Sequence, residues 1–283
     1  MGESVKVAGW TRADAARALQ TPTASDDKYS RGVIGLRTGS DAYPGAAVLG
    51  VEAAWRTGVG MVRYLGPDRA TALVLQRRPE TVAAAGRVQA WVIGSGTDAA
   101  HRADAETGAL QEMLAGEVPV VVDAGALDLA PGAAAPLIVT PHARELLRLR
   151  EALGLTRSEG DRIADARETA VALGATVLLK GSDTVVAAPT GWTTLVSAAT
   201  PWLATAGTGD VLGGVIGALV AGAAARGEAS DAETLGRLAA SGAWIHGRAG
   251  ATAAASVGHG GGPVTALDVA EALPRVVADL LAR

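Results

Sequence analysis

The chain has 283 residues, 49% of them hydrophobic, enough for one large α/β domain or two small ones. Its net charge is −4, no basic run stands out, and aromatics are 3% with no Phe, all of which argue against nucleic acid or an anionic membrane as partner. Cysteine is absent, which rules out disulfides, thiolate nucleophiles and thiolate metal ligands, and fits a reducing cytoplasm, the expected location.

Residues 1–27 read as a helical lead-in turning at Ser25-Asp26-Asp27, without the apolar core of a signal peptide, and 28–283 as one domain. A strand over 32–36 ends in Thr38-Gly39-Ser40-Asp41, and Pro44 opens a helix to about 56. Strands follow over 59–65 and 89–93, the second ending in Gly94-Ser95-Gly96, then a helix over 98–114. Short apolar strands are predicted over 119–123 and 137–139, with helices over 141–153 and 158–173. A strand over 176–179 turns at Gly181-Ser182-Asp183 into a hairpin, 185–188 with 193–196. The remainder reads as helix over 210–225, 232–255 and 265–282. The longest uncharged apolar run, 211–225, is short for a membrane span and reads as a buried core helix.

Strands that are unbroken apolar runs, alternating with helices, imply a mainly parallel sheet covered on both faces: a three-layer α/β/α domain. Ligands of such sheets sit at the carboxyl ends of the strands. Polar or glycine turns fall at those ends at 38–45, 94–98, 123–128, 140–145, 180–184 and 206–210.

The last turn, Ala206-Gly207-Thr208-Gly209-Asp210, runs straight into the apolar helix. The first N–H groups of a helix lack intrahelical partners and form an anion site, which glycines let a phosphate approach closely. An acid at that place can take a proton from a bound hydroxyl. The same residues are also good capping chemistry. Glycines at 213, 214 and 217 imply close packing against backbone or ligand. Leu212 breaks the dinucleotide fingerprint, and no Walker sequence occurs.

Other candidates carry two readings each. Lys180, one of three lysines among 25 basic residues, ends an apolar strand, where it can reach a phosphate or stay solvated. His142 follows Thr-Pro, a helix-start signal, and reads as a surface histidine there. Asp123 can orient a ribose or a metal-bound water, or cap a turn; Ser40 and Asp41 read as turn residues. No pair among His101, His142, His246 and His259 has metal-ligand spacing.

Together these turns resemble the ADP/ATP-dependent NAD(P)H-hydrate dehydratase family, which has a ribokinase-like fold. The resemblance runs from Lys28 onward: Lys28-Tyr29-Ser30-Arg31-Gly32, Gly39-Ser40-Asp41-Ala42-Tyr43-Pro44-Gly45-Ala46-Ala47, Asp123-Ala124-Gly125-Ala126-Leu127, Thr140-Pro141-His142, Leu179-Lys180-Gly181-Ser182-Asp183-Thr184 and the 206–210 turn. It implies a lyase that phosphorylates the hydroxyl of the S form of hydrated NADH or NADPH and then eliminates phosphate, restoring NAD(P)H. Bacterial members typically use ADP, releasing AMP, and eukaryotic ones ATP. By resemblance, Ala46, Gly96, His142 and Asp210 contact the hydrated dinucleotide, and Lys180, Gly181, Ser182, Asp183, Thr184 and Gly209 the nucleotide. Asp210 would act as the base, and the amides of Gly207, Thr208, Gly209 and Asp210 would stabilise the transferring phosphoryl group. Mg2+ is expected on the nucleotide phosphates, with no protein ligands assigned. A homotetramer, and an epimerase as a separate functional partner, also follow from the resemblance.

The chain departs from the family pattern at Ser95, where Pro is common, at Ala143-Arg144-Glu145 after the histidine, and over 197–202. The alternatives are a ribokinase-like kinase of a vitamin precursor, which would release a stable phosphoester, and a nucleotide-binding module without catalysis. Retention of Asp210 speaks against the last, because a carboxylate weakens phosphate binding.

Overall fold

The computed structural model describes residues 7–156, 160–197, 199–229 and 231–282. Among these, eight strands form one sheet in the order β2-β1-β3-β4-β5-β6-β7-β8. Strands β1 (Val33–Arg37), β2 (Met61–Tyr64), β3 (Ala90–Ile93), β4 (Val120–Val122), β5 (Leu137–Val139) and β6 (Thr176–Leu179) run parallel. The hairpin of β7 (Asp183–Ala187) and β8 (Thr193–Ser197) adds two antiparallel strands at one edge.

Alternate strand residues face opposite layers. Val92, Val121, Ile138 and Leu178 enter one core with α2 (Gly45–Thr57), α7 (Thr208–Ala225), α8 (Ala232–Val257) and α9 (Ala266–Leu281). Their neighbours Ile93, Val122, Val139 and Leu179 enter the other, with α4 (Asp104–Leu114), α5 (Ala143–Ala152) and α6 (Arg162–Leu173). The expected three-layer α/β/α arrangement is therefore present.

Helix α7 carries apolar residues all round and is correspondingly central. It is long and apolar enough to cross a membrane by composition, yet 72% of it lies buried inside the protein. Its glycines at 214 and 217 serve packing rather than ligand. A Cβ at Gly214 would collide with the Gly50 carbonyl of α2, and one at Gly217 with Val92 and Ile34 of the sheet. This close approach holds α2 and α7 side by side, so the turns opening the two helices lie next to each other.

Several expectations fail locally. Within 7–27 only α1 (Arg12–Ala16) is helical, opened by a capping box of Thr11 and Asp14. Ahead of it, the Trp10 amide donates to the Leu195 carbonyl of β8 at 2.7 Å, so this part of the lead-in extends the sheet edge. The helix expected from 98 splits. Asp98 accepts from the Ala100 amide to cap a short 3-10 turn, Ala99–His101, and the extended Arg102 separates it from α4. Residues 158 and 159 of the expected 158–173 helix lie outside the described residues; α6 starts at Arg162, with Asp161 as its cap. Helix α3 (Asp68–Arg77) was not expected, because it buries only Ala70 and Val74.

Candidate active site

The 206–210 turn opens α7 as expected, with a different division of labour. Gly207 is the N-cap residue at φ 88°, and a Cβ there would press on Leu49 at 2.6 Å and Ala266 at 3.0 Å, so only glycine fits. The Thr208 hydroxyl donates to the carbonyls of Leu203 and Thr205, which fixes the approach to the turn. Its amide is committed to the Thr205 carbonyl and that of Asp210 to the Gly207 carbonyl. Among the described residues the Gly207 and Gly209 amides have no protein acceptor, so these two remain for an anion. Asp210 makes no capping bond, which removes the capping alternative for its carboxylate.

Burial, and then the negative charge of Asp123, push the Asp210 carboxyl up to about 7, with Lys180 opposing them. Asp123 is only 3% exposed. It follows β4 directly, Thr140 follows β5 and Lys180 follows β6, so three neighbouring strands deliver the three residues to one point. Asp123 accepts from Lys180 Nζ at 2.7 Å, from Thr140 Oγ1 at 2.8 Å and from Ser95 Oγ at 3.1 Å. Ser95, the departure from the family pattern, thus helps to hold this acid. Glu145 Oε2 stands 4.0 Å from the same ammonium. Burial works against the charge of Lys180, but Asp123, Glu145 and Asp210 hold its pKa above the ordinary value. A Cβ on Gly209 would lie 3.8 Å from Lys180 Nζ, so the ammonium borders the anion turn.

Of the expected dinucleotide contacts, Ala46 and Gly96 meet each other, and His142 stands with Glu145. A Cβ on Gly96 would collide with that of Ala46, and the Gly39 amide donates to the Ser95 carbonyl at 2.7 Å, so the turns after β1 and β3 touch. His142 caps α5. Its Nδ1 accepts from the Arg144 and Glu145 amides, and its own amide donates to Glu145 Oε2 at 2.8 Å. That leaves Nε2 half-exposed, 3.4 Å from Glu145 Oε1. Ser40 is a turn residue, its hydroxyl accepting from the Tyr43 amide.

A cleft of about 590 Å³ opens beside the anion turn. Lys180, Gly181, Ser182, Thr184, Thr208 and Gly209 line it, with Val196, Leu203, Leu212 and Ala243 as an apolar wall. Asp183 does not; it starts β7 opposite Ser197.

Sequence reasoning left two neighbours of the site without a role. Glu145 was legible only as part of a helix start. His246 lies on α8, 8% exposed, in the wall of the cleft. Burial drives its pKa down to about 4, against a backbone hydrogen bond with Thr208, so it is neutral. A single histidine inside an apolar helix was its only signal.

A family model described as NAD(P)H-hydrate dehydratase matches residues 33–275. The bifunctional NAD(P)H-hydrate repair enzyme Nnr of Mycobacterium tuberculosis is 47% identical over 238 residues, 79% of this chain and 48% of that protein. The chain therefore spans about half the length of that relative. The ADP-dependent (S)-NAD(P)H-hydrate dehydratase of Neisseria meningitidis serogroup B is 34% identical over 243 residues, covering 78% of this chain and 77% of that one. The ADP/ATP-dependent NAD(P)H-hydrate dehydratase of Bacillus subtilis, co-crystallised with ATP and Mg2+, superposes with a TM-score of 0.81 at 26% identity, over 98% of this chain and all of that one. Across the matched region, from the first strand into the last helix, the chain belongs to the NAD(P)H-hydrate dehydratase family.

Proposed function

We propose that the protein uses ADP to dehydrate the S form of hydrated NADH or NADPH, releasing AMP and phosphate and restoring the reduced cofactor. The observation that carries this reading is Asp210: a buried carboxyl outside any capping bond, pushed up to about 7, in the first turn of the helix whose Gly209 borders Lys180. A base is most effective when its pKa lies near the working pH.

Asp210 takes the proton of the ring hydroxyl, and that oxygen attacks the terminal phosphorus of the nucleotide. The bond from phosphorus to the bridging oxygen breaks, and AMP leaves with the electron pair. The Gly207 and Gly209 amides and Lys180 face the charge on the transferring group. The carbon–oxygen bond of the new phosphoester then breaks, phosphate departs with its electrons, and loss of a proton from the adjoining ring carbon restores the double bond.

Mg2+ on the nucleotide phosphates would neutralise charge on the phosphoryl group. Asp123 and Glu145, 2.7 and 4.0 Å from Lys180, are the carboxylates nearest the ammonium, and no protein ligand of the ion is assigned.

The test is stoichiometry. With S hydrate, ADP and Mg2+, AMP, phosphate and recovered NAD(P)H should appear in equal amounts. AMP without recovered cofactor, or a phosphoester that accumulates, would overturn the reading.

A further inference from the structure

Arg162, the first residue of α6, holds the turn between β6 and β7 from behind. Its Nη2 donates to the Leu179 carbonyl at 3.3 Å and to the Lys180 carbonyl at 3.1 Å. The Lys180 amide donates to the Pro141 carbonyl at 2.9 Å, so the amide and the carbonyl of this residue are both tied down. Its side chain therefore has a fixed root from which Nζ reaches Asp123.

The guanidinium also accounts for Gly181. That glycine lines the nucleotide cleft, yet the nearest atoms a Cβ on it would meet are Nη1 and Nη2 of Arg162, with which it would collide. Its backbone lies outside the left-handed region, so conformation does not demand glycine there. Helix α6 packs on one face of the sheet, and α7 and α8, which wall the cleft, pack on the other. The guanidinium thus stands behind the turn and the ligand in front of it.

The stability of α6 gives no reason for Arg162. A cation in the first turn opposes the helix dipole. Its Nε is buried without an acceptor among the described residues, which also costs stability. What the side chain delivers at that cost is the placement of two carbonyls and a glycine at the edge of the cleft.

We propose that Arg162 is a positioning residue for the nucleotide, setting the Lys180–Gly181 peptide from behind, and that Gly181 is glycine to admit this guanidinium rather than the ligand. The inference rests on the dehydratase reading only in taking the Lys180 cleft as the nucleotide site. A flat guanidinium lies against the glycine while one of its nitrogens spans two carbonyls, and the ammonium of lysine does not combine the two.

Calorimetric titration with ADP and Mg2+ tests this without turnover. Arg162→Ala should weaken ADP binding about tenfold, while KM for the hydrate stays within about twofold of wild type. Arg162→Lys, which keeps the charge, should remain within about threefold of Arg162→Ala. Gly181→Ala pushes a methyl into the guanidinium, so it should weaken ADP about tenfold in the wild type but less than about twofold in the Arg162→Ala background, where the obstacle is gone. Unchanged ADP affinity in Arg162→Ala, full affinity in Arg162→Lys, an equal rise in hydrate KM, or the same loss from Gly181→Ala in both backgrounds would each overturn the proposal. Arg162→Lys and Gly181→Ala judge it even where Arg162→Ala does not fold. A wild type that binds ADP beside variants that bind it equally well defeats this proposal alone and leaves the dehydratase reading standing, whereas a wild type that binds no ADP defeats both.

Discussion

Lys180 Nζ lies 2.7 Å from Asp123 Oδ1, an ion pair that joins the end of β6 to the end of β4 at the wall of the cleft that Lys180 lines. Asp123 is buried with Lys180 as its counter-ion, while Lys180 borders the anion turn at Gly209. Lys180→Ala should therefore do two things. It strips a phosphate partner, raising KM for ADP at least about tenfold, and it leaves a buried carboxylate unpaired at a cost of about 3–5 kcal/mol. The double variant Lys180→Met, Asp123→Asn removes the orphan charge and should recover most of the stability but none of the ADP affinity. Denaturant unfolding and ADP titration, run together, separate the two. Full ADP affinity in the double variant would take Lys180 out of the nucleotide site.

Asp210 sets a pH limb. Its base form is needed and its pKa is pushed up to about 7, so kcat/KM should fall as pH drops below neutrality. Asp123 is one cause of that shift and Lys180 opposes it, so Asp123→Asn should move the limb to lower pH and Lys180→Met to higher pH. A limb that stays in place in both variants would show that another group is titrating. The linkage has the opposite sense for stability. Folded Asp210 keeps its proton to about 7 and the unfolded chain releases it near 3.8, so this carboxyl destabilises the fold progressively as pH rises between those values. Asp210→Asn should consequently raise the thermal midpoint more at pH ~8 than at pH ~5.

The contact of α2 with α7 sets the spacing between Ala46 and Asp210. Gly214→Ala drives a methyl into the Gly50 carbonyl and should destabilise by about 1–3 kcal/mol despite the helix propensity gained. Gly213→Ala is the control, since its methyl would meet Val92 at 3.5 Å and Ser95 at 3.6 Å, ordinary contacts. Urea midpoints of the pair check this; equal stability would mean the helices shift apart freely.

Glu52 anchors α2 from its opposite face. It is 0% exposed and bound by Arg56 at 2.5 Å, Arg77 at 3.3 Å and Arg78. Burial alone would raise its pKa, but the three guanidinium groups, Arg78 foremost, bring it down from 4.5 to about 2. A depressed carboxyl stabilises above its unfolded pKa, and that contribution fades as pH falls through 4.5 toward 2. The difference corresponds to about 3 kcal/mol. Wild type should lose about that much between pH ~6 and pH ~2 beyond what Glu52→Gln loses, read from urea unfolding.

The sheet was legible because its parallel strands are buried on both faces and therefore read as plain apolar runs such as Val120–Val122 and Leu137–Val139. The anion turn was legible because only glycine serves at Gly207. Helix α3 was not, since a helix burying two residues leaves almost no periodic trace. The Asp123–Lys180 pair was not legible either. It joins residues 57 apart, and only the strand order β4-β5-β6 makes them neighbours. Thr208 was given an anion-binding role with the other amides of the turn, but its hydroxyl and amide are both spent on the preceding turn.

The central claim is that Asp210 is the base of a dehydration, and one comparison tests it most directly. Wild type and Asp210→Asn are incubated with S hydrate of NADPH, ADP and Mg2+, and recovery of reduced-nicotinamide absorbance is followed, with folding checked by circular dichroism. Wild type should restore the absorbance, and the folded variant should be slower by at least about a hundredfold, the range of a lost general base. Near-normal recovery by Asp210→Asn, or none by the wild type, would contradict the account.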